Sequence, residues 1–428
     1  MKLLRNSTIL LIILSVVGLL ARFYLVTFGR DSGDLLVFEE WGRRFWDLGP
    51  LKFYLDEGWL YSFPTYPPLS SLMYGGLYWL FDHKYFLAQL HNLIKIPPSA
   101  FIVYFYDYGY TFLLKLPSIL ADLGIGLLVY KMVKDLTGKE NKAIWAFALF
   151  FLNPLTIFLA GVWGQTESFI AFFGLASFYL LSKEKYWASV PLLFVSLFLK
   201  PTWVVFLPIY AIVLLVKKAN IKGILVGVAI SAIIFWISTA PFSGEKVIEF
   251  TRNIVLENML PAAKGGARTS ISAFNFYTIF HRIDFVLVDK PLFLISSKTF
   301  GLVAYILLNL ITLKIVKRKK GDLKSLLFSI FVIGIGTFIF TTNMLERYFF
   351  AGFAPLIVLM VLDRKALGLG LLLNAGLLAN LVWAFYRRKL GWLDHIFTDN
   401  NFLVIKLLSI LNVFSFASLM IKLGRGKS

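Results

Sequence analysis

The sequence predicts an all-α polytopic membrane protein with about twelve transmembrane helices. Three observations carry this. Of 428 residues, 58% are hydrophobic and 17% aromatic while only 16% are charged, a balance that soluble domains do not show. The apolar residues are gathered into long runs, most of them of spanning length. The Lys and Arg residues behind the net charge of +19 fall mainly in alternate short loops between those runs. This distribution assigns the charge to membrane orientation and contact with anionic lipid, and no nucleic-acid partner is expected. Zero Cys excludes a disulfide framework and thiolate chemistry, and four His leave little for a His-rich metal site.

Lys2 and Arg5 place the N-terminus on the cytoplasmic side. The apolar run from Ser7 to Phe28 is longer than a signal-peptide core and lacks a small-residue cleavage site, so it is read as a retained anchor. A long external loop, residues 30–110, follows. Within it, Tyr66 to Phe81 begins on a Pro pair and ends at Asp82, His83 and Lys84. The span Thr111 to Met132 must run inward to reach Lys131, Lys134, Lys139 and Lys142. The segment before it therefore starts and finishes outside, as a juxtamembrane or re-entrant helix. Spans over Ala143–Ala160, Ser168–Leu181, Trp187–Leu199, Trp203–Val216 and Gly223–Ala240 then alternate in direction. A second long external loop, 241–297, precedes Phe300–Val316, Leu326–Phe340, Phe349–Leu362, Leu367–Phe385 and Phe402–Ile421, and both termini end cytoplasmic. The runs Trp187–Leu199 and Trp203–Val216 are shorter than a full crossing.

The polar island from Arg30 to Tyr66 organises the rest, because carboxylates near lipid are costly unless they stand in water or serve a function. Asp31 or Ser32 caps a helix whose first turn holds Asp34, where free amides and the helix dipole keep a carboxylate ionised. Asp34, Phe38, Trp41 and Phe45 fall on one stripe, with Glu40, Arg43, Arg44 and Asp47 largely off it, so this helix is expected to rest along the membrane surface. Further polar groups gather on the same side. They are Gln165 and Glu167 after the third span, Lys200 after the fifth, and Glu346 and Arg347 after the ninth. Singly, Glu167 reads as a solvated helix-start acid, Lys200 as a snorkelling cation and Arg347 as the local partner of Glu346. Together they describe a carboxylate site facing a cationic one. Arg252, Lys264, Arg268, His281, Arg282 and Lys290 in the second loop would suit a phosphate ligand, with Gly265 and Gly266 as a turn able to close over it. Asp122, inside a span that has Lys115 near its outer end, reads as a bundle-facing, paired acid.

These residues fall in an order that resembles the GT-C glycosyltransferases, polytopic enzymes that use polyprenyl-phosphate sugars. The matching pieces are Asp34 to Trp41, Gly49 to Tyr54 and Tyr66-Pro67-Pro68-Leu69. Next come Lys115-Leu116-Pro117 with Asp122, then Asn153-Pro154 with Trp163-Gly164-Gln165 and Glu167. Lys200-Pro201, Ser272 to Tyr277 and Met344 to Phe349 complete the series. Within that group the chain is similar to the mannosyltransferases related to the second mannosyltransferase of glycosylphosphatidylinositol assembly. The glucosyltransferases of N-glycan assembly share the first-loop pattern.

The resemblance implies a GT-C-like helix bundle and an inverting transfer of a hexose, mannose by this likeness. The sugar would pass from a polyprenyl-phosphate carrier to a hydroxyl of a lipid-linked glycan or another acceptor, without metal or cofactor. It implies Asp34 as the catalytic base and Arg347, Lys200 and Arg268 as the donor-phosphate group. Glu167, Gln165, Trp163, Trp41, Tyr66 and Glu346 would hold the acceptor sugar. Two positions depart from the pattern: Leu345 stands where His is usual, and Glu167 replaces Asp. Two rival readings are a transporter or flippase for a lipid-linked saccharide, and a non-catalytic subunit of a glycosylation complex, which Leu345 keeps open. The expected compartment is a prokaryotic plasma membrane with the site on its external side.

Overall fold

The fold is that of a computed structural model, which describes residues 2–261 and 267–425. It is all-α: among the described residues there are two isolated antiparallel bridges, Arg268 with Leu287 and Pro291 with Ser296, and no strand. Among the described residues seven helices are long and apolar enough to cross a membrane. An eighth crossing is possible where Glu140–Phe151 and Pro154–Trp163 meet at a 43° bend. The break has a local cause, since Asn153 caps the second piece by accepting from the Leu155 amide and Pro154 occupies its first turn.

Of the about twelve expected spans, four are shorter than a full crossing, where the sequence marks two. Glu167–Ser182, Tyr186–Leu199, Pro201–Val216 and Phe350–Leu362 are apolar but short. At 1.5 Å per residue, a fourteen-residue helix covers about 21 Å of a hydrocarbon layer of about 30 Å. Phe350–Leu362 tolerates this because it is buried from Gly352 through Met360, so its ends meet protein instead of lipid. Leu323–Phe340, beside it, is buried on all sides and forms the axis of the bundle. Ser7–Leu25 and Ile221–Ser243 are mostly exposed and lie at the periphery.

The end of the expected first loop is helical and continuous with the span that follows it. The span placed at Thr111–Met132 belongs to a 39-residue helix, Ser99–Thr137, which starts directly after Pro98 and would extend about 58 Å. The aromatic run from Phe101 to Tyr110 contains no Pro, and the helix continues through it, Gly109 included. The segment placed at Tyr66–Phe81 is the helix Pro68–Asp82. At the other end of the chain, Gly391–Arg425 is two helices joined across non-helical residues Asp399 to Phe402.

The helix Gly33–Leu48 is capped by Ser32, whose hydroxyl accepts from the Leu35 amide, while Asp31 pairs with Lys389 at 2.5 Å. Its aromatic stripe does not lie on lipid. Phe38 stacks on Tyr74 at 4.7 Å between ring centroids, and Trp41 meets Tyr66 and Tyr74 edge-on, so the stripe packs against Pro68–Asp82. A neighbouring helix offers these rings shape-matched partners that fluid lipid does not. Glu40 is also turned inward, against expectation. Its carboxylate accepts from the Leu60 and Tyr61 amides at 2.6 and 2.9 Å and lies 3.8 Å from Arg44. Glu40→Ala leaves two amides without their acceptor and is expected to cost about 1–3 kcal/mol for each one that water cannot reach. Faster amide exchange confined to Leu60 and Tyr61 would report it.

Candidate functional site

The outer end of the bundle gathers five charged side chains from four separate segments. Arg347 stands at their centre. Its Nη1 donates to Glu346 Oε1 at 2.5 Å, its Nη2 lies 3.4 Å from Asp34 Oδ1, and its Nε lies 3.3 Å from Glu167 Oε1, out of line for a hydrogen bond. Lys200 donates to the same Glu167 oxygen at 2.6 Å. The second Asp34 oxygen accepts from Gln165 Nε2 at 2.7 Å and from Trp163 Nε1 at 3.1 Å. Ser272 hydrogen-bonds the second oxygen of Glu346, and Lys200 sits over the rings of Tyr66 and Tyr348 at 5.3 and 5.6 Å.

Local structure explains why these groups meet. Phe158–Trp163 is a π-helical turn that ends at Gly164, whose φ of 77° favours glycine. That turn brings Trp163 and Gln165 onto Asp34 together. Lys115 pins the turn to the chain leaving the first span: its ammonium lies within 3.1 Å of the carbonyls of Val26, Phe28, Gly161 and Val162. Ser272 is held under Glu346 because Asn380 brackets its segment, donating to the Ser272 carbonyl and accepting from the Phe274 amide. Deeper in the bundle, Arg22 and Asp122 pair at 2.8 Å with neither exposed, so the acid expected to face the bundle does so.

Most of the sequence-predicted site residues therefore share one cluster: Asp34, Trp163, Gln165, Glu167, Lys200, Glu346 and Arg347, with Tyr66 at its border. Two do not. Trp41 is 2% exposed and donates its indole N–H to the Ser62 carbonyl, so it offers no face to a sugar. Arg268 pairs with Asp284 at 3.0 Å in the second loop. Lys264, Gly265 and Gly266 lie outside the described residues. Ser272, Tyr348 and Arg22 were not singled out from sequence. Ser272 and Tyr348 lie within the segments that carry the resemblance, and Arg22 stood out as a lone cation within an apolar run.

The electrostatics of the cluster favour fixed ionisation. Burial pushes the Asp34 carboxyl up, but the Arg347 guanidinium and the Trp163 and Gln165 hydrogen bonds outweigh it and hold it below the ordinary carboxylate range. Burial opposes the Arg347 and Lys200 charges, yet Asp34, Glu346 and Glu167 keep Arg347 charged and Glu167 keeps Lys200 charged. Because the folded pKa of Asp34 is lowered, its stabilising contribution is complete above the unfolded value of about 3.9 and is lost only as pH falls through the lower folded value. The stability gap between the native chain and Asp34→Asn is therefore expected to stay constant from pH 8 to pH 5. Narrowing within that range in thermal unfolding would contradict the assignment.

Three carboxylates close on two cations, so with all five ionised the cluster keeps an excess of negative charge. The Arg347 fork is already engaged by Glu346 and Asp34, which leaves it poorly placed to grip a lipid phosphate. One buried oxygen, Glu167 Oε2, has no hydrogen-bond partner among the described residues. Glu167 and Arg347 also line a cavity of about 460 Å³, with Lys298 as a further charged group and Trp203, Phe206, Tyr305, Met344 and Tyr348 among the rest of its lining. Such a space suits an amphiphile whose head carries hydroxyl or amine donors. Among the described residues no group of three His, Asp or Glu side chains could hold a metal ion.

Residues 81–263 match the family model of the GPI transamidase subunit PIG-U. No curated protein matches the chain. The matched segment is less than half of the chain and contains Lys115, Asp122, Trp163, Gln165, Glu167 and Lys200, but neither Asp34 nor Arg347. This finding overturns the expected function. The likeness is to a transamidase subunit, so the reading as a hexosyl- or mannosyltransferase enzyme, with its polyprenyl-phosphate sugar donor, is withdrawn. The multi-pass membrane architecture stands, whereas a prokaryotic plasma membrane gains no support from the match.

Proposed function

We propose that the chain is a non-catalytic membrane subunit of a complex of the GPI transamidase kind, holding the head of a glycolipid for chemistry performed by a partner subunit. The observation that carries this reading is the cavity beside the Asp34–Arg347 cluster. Its walls are largely apolar, and its lining includes Glu167, whose buried Oε2 has no hydrogen-bond partner among the described residues. The lipid portion would lie along Trp203, Phe206 and Tyr305, and hydroxyl or amine groups of the head would reach Glu167. Asp34 serves in this reading as an anchor. A carboxylate with both oxygens occupied and its pKa lowered is a weak proton acceptor, and the ion pair instead fixes the shape of the site. The loop charges support a site on the non-cytoplasmic side.

The test uses the full chain within its assembled complex and a photoreactive glycolipid. Expected are labelling at Met344 or Tyr348, loss of labelling in Glu167→Gln with assembly intact, and no sugar transfer by the purified chain alone. Turnover by the isolated chain, or labelling that ignores Glu167→Gln, would overturn the reading.

A further inference from the structure

The helix Leu323–Phe340 leads from the glycolipid cavity to the opposite, basic end of the bundle, about 27 Å away for eighteen residues. There a second cavity of about 300 Å³ opens between the ends of Ser297–Arg318, Leu323–Phe340, Phe350–Leu362 and Gly391–Arg425. Arg318, Lys319 and Lys324 line its polar side, and Phe328, Leu359 and Leu423 supply apolar wall. None of these three cations makes a side-chain hydrogen bond or ion pair with the described residues, unlike Lys131, Lys134, Lys183 and Lys217 elsewhere on the same face.

Two acids also line the cavity, but each has a structural task. Asp322 caps Leu323–Phe340 by accepting from the Ser325 amide at 2.8 Å, and Asp363 accepts from the Lys365 amide at 3.0 Å. The lining thus offers free cations beside an apolar wall, at the face that the loop charges assign to the cytoplasm, where anionic lipids concentrate. Positive charge needed only for orientation has no reason to line a cavity with a buried aromatic floor.

We propose that this cavity binds the phosphate-bearing head of an anionic phospholipid, with Arg318, Lys319 and Lys324 on the phosphate and the first acyl carbons against Leu423 and Leu362. The site is independent of the glycolipid reading, shares no residue with it, and stands or falls separately.

The full chain is to be reconstituted in phosphatidylcholine discs doped with phosphatidylinositol or phosphatidylserine, and the co-purifying lipid measured by native mass spectrometry. R318Q/K319Q/K324Q is compared with K185Q/K218Q/K222Q, which removes the same charge from exposed positions outside the cavity. The first set removes the direct phosphate partners and is expected to lower anionic-lipid retention at least about tenfold, and the second to leave it within about twofold. Leu423→Trp, which fills the cavity without changing charge, is expected to lower retention as well, and thermal unfolding confirms that each variant is folded. Equal losses in both triple variants would overturn the proposal, as would retention unaffected by Leu423→Trp. Displacement of the lipid by millimolar inorganic phosphate or glycerophosphate would overturn the lipid assignment in favour of a soluble anion.

Discussion

Arg347→Met is expected to destabilise the protein by about 3–5 kcal/mol, the usual result of removing one partner from a buried charge group. Arg347 alone links Asp34, Glu167 and Glu346, which come from three different segments. Without it three carboxylates face the single charge of Lys200, and two of them, Glu167 and Glu346, are 7% and 3% exposed. Those two then have to take up protons or admit water. Arg347→Lys keeps the charge but has no fork to reach Asp34 and Glu346 at once, so it should recover only part of the loss. Denaturant or thermal unfolding of the solubilised chain measures both, and a native midpoint in Arg347→Met would remove Arg347 from the centre of the cluster. In the same variant, glycolipid labelling should fall even under conditions where the chain remains folded.

Arg22→Leu is expected to cost a comparable amount, about 3–5 kcal/mol, and to reduce accumulation of the protein in membranes. The side chain is fully buried and uses its donors completely. It reaches Asp122 through Nε and Nη2, the Gly18 and Phe151 carbonyls through Nη1, and the Thr156 hydroxyl through Nη2. Three crossings are joined at this point, and leaving Asp122 unpaired within the bundle is the main cost. The double substitution Arg22→Leu with Asp122→Leu removes both charges and should be more stable than Arg22→Leu alone. If the double variant is no better, the penalty lies in the lost packing around Arg22 and not in the stranded acid.

The placement of the two charge groups also separates what each of them does. Arg22 and Asp122 sit where no ligand reaches, so their variants should change stability and leave the ligand selectivity of the surviving folded protein alone. The Arg347 cluster borders a cavity, so its variants should change both.

The membrane class was legible in the chain itself, and so was the set of polar residues that gather at one end of the bundle. Hydrophobic runs and loop charge demand a polytopic helical protein, because the bilayer leaves an unpaired backbone no other solution. Isolated carboxylates and cations beside those runs stand out because lipid makes them expensive, and Asp34, Glu167, Lys200, Glu346 and Arg347 do come together. What each group does was not legible. Glu40 and Trp41 looked like outward or ligand-facing residues, and their burial depends on Pro68–Asp82 and the 56–62 loop folding over them. Arg268 looked like an anion ligand until Asp284 met it. Hydropathy also does not tell lipid from protein as the apolar neighbour, so the burial of the short helix Phe350–Leu362 was not legible. Periodicity and composition fix which residues must avoid lipid, since that is a cost paid residue by residue. Which partner satisfies each of them is a pairwise matter between segments far apart in the chain, 313 residues for Asp34 and Arg347, and only the packed bundle decides it.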